Sequence, residues 1–196
     1  MLETILLTGF GPFGGHARNV SEEAARRLDG VEVEGFALRA LCLPVQFERA
    51  VAALEEAIEA ERPLAVISLG IHDDAGYRVE LSAKNERHYA LPDVDGHLVQ
   101  DAPVEQGAPA MVFSSLPVAA IKQAFEQAGL PVELSEDAGR YLCNAVCYWA
   151  ARRVTPAGFV HVPAAARLEE VVLAARLAAE VTARRLIAQR VEATTV

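Results

Sequence analysis

A chain of 196 residues that is 52% hydrophobic is long enough to enclose one sizeable core, which excludes a disordered or fibrous protein and predicts a single domain. Lys and Arg number 18 against 27 Asp and Glu, so the surface repels nucleic acid and anionic membranes and neither is expected as a partner. The apolar runs are too short for a bilayer, Met1 to Gly9 lacks a basic leader, and the three cysteines, Cys42, Cys143 and Cys147, are odd in number; a soluble cytoplasmic protein with free thiols is expected.

Thr4 to Thr8 reads as a buried strand running into a glycine-rich loop, followed by a helix from about Val20 to Leu28 capped at Asn19 or Ser21. Phe47, Val51, Leu54 and Ile58 recur at helical spacing until Pro63 stops the helix, and Leu64 to Leu69 forms a second buried strand. Tyr77 to about Gln100 is extended, with Asp95-Gly96 as a hairpin turn. A helix carrying Val118, Ile121 and Phe125 is capped by Ser114 or Ser115 and ended by Gly129, and Val132 to Leu134 is a short strand. Arg140 to Arg153 reads as a helix, Phe159 to Val162 as a strand, and Leu168 to about Gln189 as a long alanine-rich amphipathic helix. Helices and strands alternating in this way predict an α/β fold, with helices on both faces of a largely parallel sheet.

Gly9, Gly11 and Gly14 have the spacing of a dinucleotide fingerprint after a strand. That mechanism needs a helix opening directly at the glycines, whereas His16 to Asn19 intervene and Phe10 and Phe13 crowd the loop with apolar rings. A structural or binding loop is the better reading.

Cysteine attacks carbonyls as the thiolate, which helix N-termini and a neighbouring imidazolium favour. Cys143 falls in the first turn of a predicted helix, after Gly139-Arg140-Tyr141-Leu142, and His161 sits in the short apolar strand Phe159 to Pro163. Spacing alone leaves His161 open to being a core histidine and Glu80 to being a solvated strand residue. Histidines 16, 72, 88 and 97 read as solvated. Cys147, one turn from Cys143, shares its face in the manner of a metal or redox pair but lacks further ligands at supporting spacing, so Cys147 and Cys42 are expected to be buried.

Taken together, these segments resemble the pyroglutamyl peptidase I family of cysteine peptidases. Leu7 to Gly15 (LTGFGPFGG) is similar to that family's opening, Ala138 to Asn144 (AGRYLCN) to its nucleophile motif, and Phe159 to Pro163 (FVHVP) to its histidine strand. Glu80 and Asn85 keep their spacing to Leu91-Pro92-Asp93, and Ser115-Leu116-Pro117 matches another recurring piece. The resemblance implies a three-layer α/β/α sandwich with a mixed, largely parallel sheet, no metal or organic cofactor, and homo-oligomers of two or four subunits. It further implies hydrolysis of the bond after an N-terminal pyroglutamyl residue, with Cys143 as nucleophile, His161 as base and Glu80 orienting the histidine. Phe10 and Phe13 would flank the lactam ring, while Asn19 and main-chain groups near Ile71 would read its amide. The chain departs from the family at Ala90, where an arginine is usual, so that its help is either absent or supplied by Arg87, His88 or Arg140, at Val20 after Asn19, and over Ile71 to Arg78. Two other readings fit the same residues: a non-catalytic binder of pyroglutamyl peptides, and an amidase for a different acyl group.

Overall fold

The computed structural model describes residues 2–13, 15–89 and 91–194; Gly14 of the glycine loop and Ala90 lie outside them. In chain order the elements are β1 (Thr4–Phe10), α1 (Val20–Arg27), β2 (Glu32–Val33), β3 (Phe36–Leu43), α2 (Phe47–Glu61), β4 (Ala65–His72), β5 (Tyr77–Glu80), β6 (Ser82–Lys84), β7 (Met111–Phe113), α3 (Val118–Gln127), β8 (Val132–Ser135), α4 (Leu142–Ala151), β9 (Ala157–Pro163) and α5 (Leu168–Thr194). Seven strands form one sheet in the order β2-β3-β1-β4-β9-β5-β8, and β6 and β7 form a separate antiparallel pair. Strands β3, β1, β4 and β9 run parallel, whereas β5 is antiparallel to β9 and parallel to β8. The sheet is therefore mixed and largely parallel, as expected.

Near-continuous apolar runs such as TILLTGF in β1 and AVISLGIH in β4 suit strands covered on both faces. Alternate residues divide the core accordingly. Ile5, Leu7, Ile67, Val160 and Val162 pack beneath α1, α3 and α5, while Leu6, Phe10, Val66 and Phe159 pack beneath α2 and α4. Small side chains let the helices approach closely: α5 buries Ala174, Ala175, Ala178, Ala179 and Ala183 along one stripe. Helix α1 lies still closer to β1, because a Cβ on Gly9 would stand 2.3 Å from the Ser21 carbonyl oxygen. Asn19 caps α1 by accepting from the Ser21 amide at 3.1 Å.

Several boundaries differ from the sequence reading for identifiable reasons. Strands β2 and β3 have no counterpart in it. Helix α4 opens at Leu142, not at Arg140, because Gly139 is left-handed (φ 76°) and Tyr141 is extended. Ser114 and Ser115 do not cap α3; their hydroxyls turn to the Ala157 backbone, and Pro117 occupies the cap position. Around Asp95-Gly96 the chain folds back without building a ladder: Arg87 and Ala102 form an isolated bridge, and the Asp93 carboxylate accepts the amides of Asp95 and His97. Among the described residues no helix is long and apolar enough to cross a membrane.

Candidate active site

Parallel α/β sheets place ligand sites beyond the carboxyl ends of their strands, and the sequence-predicted residues gather at that edge. The β5–β9 register sets Arg78 opposite His161 and Val79 opposite Val160, so Glu80 lies diagonally from His161 on the same face, within reach of a long side chain. Glu80 Oε1 accepts from His161 Nδ1 at 2.7 Å, with Glu80 completely buried and His161 8% exposed. A carboxylate only accepts, so the proton on this bond belongs to Nδ1 and Nε2 is left for another partner. The other Glu80 oxygen, Oε2, is buried without a hydrogen-bond partner among the described residues.

Cys143 arrives from the opposite layer. It occupies the first turn of α4, where backbone amides have no intrahelical acceptor and the helix dipole favours negative charge. Asn144 fastens that turn to β6 and the chain beyond it: Oδ1 accepts from the Lys84 amide at 2.8 Å, and Nδ2 donates to the carbonyls of Lys84 and Glu86 at 2.8 and 2.9 Å. Gly70, the direct register partner of His161, then makes room for the sulfur. A Cβ at position 70 would stand 2.8 Å from Cys143 Sγ and 2.7 Å from Phe159 Cζ. The thiol thus sits over a bare stretch of β4 beside the imidazole.

Electrostatics couple the three groups. Burial is the largest single influence on His161 and resists its protonation, but the charge and hydrogen bond of Cys143, and then those of Glu80, outweigh it and raise the imidazole to about 9. Such an imidazole is cationic at neutral pH and favours a thiolate beside it. Cys147, one turn further, is fully buried, and that burial, followed by the nearby charges of Glu80 and Cys143, pushes its thiol far up and leaves it inert. Cys42 is half-buried, more exposed than expected, and burial raises its thiol too.

Beside the sulfur opens a cleft of about 380 Å³ lined by Phe10, Phe13, Asn19, Val45, Ile71, Tyr141, Leu142 and Cys143. All four residues expected to contact a lactam are in that lining, so the structure gathers them with Cys143. Asn19, however, is already engaged on both ends of its amide, with Ser21 and the Gly11 carbonyl. Phe13 stacks on Tyr141 at 5.1 Å, fixing one wall. The sequence reading missed Val45, Tyr141 and Leu142 as lining, and Gly70 as the gap for the sulfur; a glycine inside an apolar strand is the signal that marks such a close approach.

Two expectations are corrected. Arg87, His88 and Arg140 do not line this cleft and are engaged elsewhere, with the Pro103 carbonyl, Asp101 and Glu86 respectively. His72 is not solvated: its side chain is 11% exposed, its ring lies edge-on to His161 with centroids 5.7 Å apart, and its Nε2 donates to the Gly76 carbonyl at 2.9 Å. Burial lowers its pKa, the Gly76 bond opposes this, and His161 lowers it further, so His72 is neutral at neutral pH.

Comparison with known proteins agrees with this arrangement. The family model for pyroglutamyl peptidase matches residues 3–185. The pyrrolidone-carboxylate peptidase of Chromobacterium violaceum is 38% identical, covering 92% of this chain and 93% of that protein. The same-named protein of Thermococcus kodakarensis is 41% identical, covering 81% and 80%. Among solved structures, the pyrrolidone carboxyl peptidase from Thermococcus litoralis superposes with a TM-score of 0.93 at 30% identity, covering 96% of each chain. Pyroglutamyl peptidase I of Bacillus amyloliquefaciens gives 0.89 at 28% identity, covering 93% of this chain and 97% of its own. The chain belongs to the pyroglutamyl peptidase family.

Proposed function

We propose that this protein is a single-domain cysteine peptidase that removes pyroglutamate from the N-termini of peptides, with Cys143 as nucleophile, His161 as general base and acid, and Glu80 orienting the imidazole. The observation that carries the reading is the buried His161–Glu80 bond at 2.7 Å, with Cys143 Sγ seated over Gly70, the register partner of His161. His161 Nε2 takes the thiol proton, and Cys143 becomes the attacking thiolate. The thiolate attacks the carbonyl carbon of the scissile amide; the carbonyl π pair moves onto oxygen, where the Cys143 backbone amide is a preorganised donor. Collapse of that intermediate expels the amine, which takes the proton from His161 Nε2, and leaves a thioester on Cys143. Neutral His161 then accepts a proton from water as the hydroxyl adds to the thioester, and pyroglutamate leaves as Cys143 regains its thiolate.

The cleft explains the acyl preference. No Lys, Arg, Asp or Glu lines it among the described residues, so a flat, uncharged lactam is accommodated, whereas an ordinary N-terminal ammonium would be desolvated without a counter-charge at a cost of several kcal/mol. Peptides are the only partner the chemistry requires, and an oligomer of two or four subunits remains part of the proposal. Purified protein is expected to turn over a chromogenic pyroglutamyl amide and to lose that activity on iodoacetamide treatment; absence of thiol-sensitive turnover would contradict the reading. Gly70→Ala is expected to lower kcat/KM by roughly a hundredfold while the protein stays folded, because the added methyl displaces the sulfur and a shift of about 1 Å at a reacting atom has that cost. Thermal unfolding of the same sample separates misplacement from collapse.

A further inference from the structure

The chemistry above uses Cys143, His161 and Glu80 but leaves His72, whose ring lies against His161, without a task. Strand alternation puts Ser68, Gly70 and His72 on one face of β4, the face that Val66 shares with Phe159 beneath α2 and α4. Gly70 stands opposite His161 and His72 opposite Pro163, so His72 lies one pleat nearer the carboxyl edge, diagonal to His161. Phe159 lies one pleat the other way. The centroid of the Phe159 ring is 4.7 Å from that of His161, and the centroid of the His72 ring is 5.7 Å from it. Two rings therefore bracket the imidazole along the strand, beside the bare stretch at Gly70 over which Cys143 Sγ sits.

His72 is itself anchored. Its side chain is 11% exposed, and its Nε2 donates to the Gly76 carbonyl at 2.9 Å. That carbonyl belongs to a clamped turn. Gly76 is left-handed (φ 91°), a Cβ on it would stand 3.2 Å from the Pro131 carbonyl oxygen, and the Tyr77 amide donates to the same oxygen at 2.7 Å. Glu80, by contrast, holds His161 at one atom, Nδ1. One bond fixes a point on the ring but lets the ring tilt about it, and a tilt carries Nε2 away from the sulfur it serves. A displacement of about 1 Å at a reacting atom costs on the order of a hundredfold in rate, so the packing that prevents the tilt matters to the chemistry. His72 is suited to this place because, neutral at neutral pH, it lies against the protonated imidazole without adding a like charge.

We propose that His72 is a positioning residue for His161: held by the Gly76 carbonyl, its ring fixes the tilt of the imidazole and keeps Nε2 directed at Cys143. The inference rests on the peptidase reading above. The test compares His72→Ala, which removes both ring and anchor, with His72→Gln, whose side-chain amide reaches about as far as Nε2 and can donate to the same carbonyl. His72→Ala is expected to lower kcat for the chromogenic amide by about tenfold or more with KM within about twofold, and His72→Gln to return kcat to within about threefold of wild type. A second readout needs no turnover. By histidine-selective NMR, the His161 Nδ1 proton in its bond to Glu80 is expected to exchange with water about tenfold faster in His72→Ala than in wild type or His72→Gln. Thermal unfolding shows whether each variant is folded at the assay temperature; if His72→Ala is not, His72→Leu, which fills the space without a donor, replaces it with the same expectations. Unchanged kcat in the variant without the anchor, a loss carried by KM alone, no recovery in His72→Gln, or unchanged proton exchange overturns the positioning role. Failure of the wild type on the chromogenic amide overturns the peptidase reading instead, and the exchange comparison still decides whether His72 holds His161.

Discussion

Cys143→Ala is expected to lower kcat/KM for a pyroglutamyl amide by four orders of magnitude or more, roughly the loss seen when an activated nucleophile is removed from a working triad. The substitution deletes one half-buried sulfur at the start of α4, and Asn144 still ties that turn to β6 through three hydrogen bonds, so the fold is retained. A second signature accompanies the loss. The charge and hydrogen bond of Cys143 are the leading influences that hold His161 at about 9 against its burial, so the imidazole pKa falls in the variant, as a histidine-selective NMR titration reads directly. The linkage has a definite sign. His161 is raised above its unfolded value of 6.5, so its contribution to stability is fully present below about 6.5 and is lost as pH rises through about 9. In Cys143→Ala that loss begins at lower pH.

Glu80→Gln is expected to reduce kcat by about 10⁴, or about 5 kcal/mol of transition-state stabilisation, with little change in KM. The glutamine is isosteric, so the side chain still fills a site with no solvent exposure. An amide nevertheless offers the wrong pattern. If its nitrogen turns to His161 Nδ1, the ring is driven to the tautomer with its proton on Nε2, where the sulfur needs an acceptor. If its oxygen takes that place, the bond survives but the negative charge that supports the imidazolium is gone. Activity that rises steeply with pH in the variant and stays far below wild type at its plateau fits this account; near-wild-type kcat would remove Glu80 from the mechanism.

Cys143 and Glu80 differ in how readable they are in the sequence. Cys143 is visible because its signal is local: Gly139 and the residues after it announce a helix start, and a helix start favours a thiolate. Glu80 is not, because its burial is a product of the β5–β9 pairing between positions 81 residues apart, and a carboxylate in an isolated extended segment reads as solvated. Gly70 in an apolar strand marks a close approach, but what approaches it is hidden, being set by a helix entering from the other layer. His72 reads as solvated because the acidic, glycine-containing residues after it resemble a turn, whereas β4 continues through it and lays it against His161. The long apolar strands and the alanine stripe of α5 were legible, since their patterns follow from which faces the sheet and helix bury. Short β2 and the caps of α3 and α4 depend on contacts with Phe36 and Ala157 and on the extended backbone at Tyr141, none of which a local pattern encodes.

Rapid acid quenching of the protein during turnover of a pyroglutamyl ester, followed by digestion and mass spectrometry, tests the central chemistry most directly. The predicted result is a pyroglutamyl group in thioester linkage on the fragment bearing Cys143, forming in step with the first equivalent of released alcohol. An equivalent of alcohol released with the acyl group on any other residue, or with no acyl-protein formed at any quench time, would contradict it.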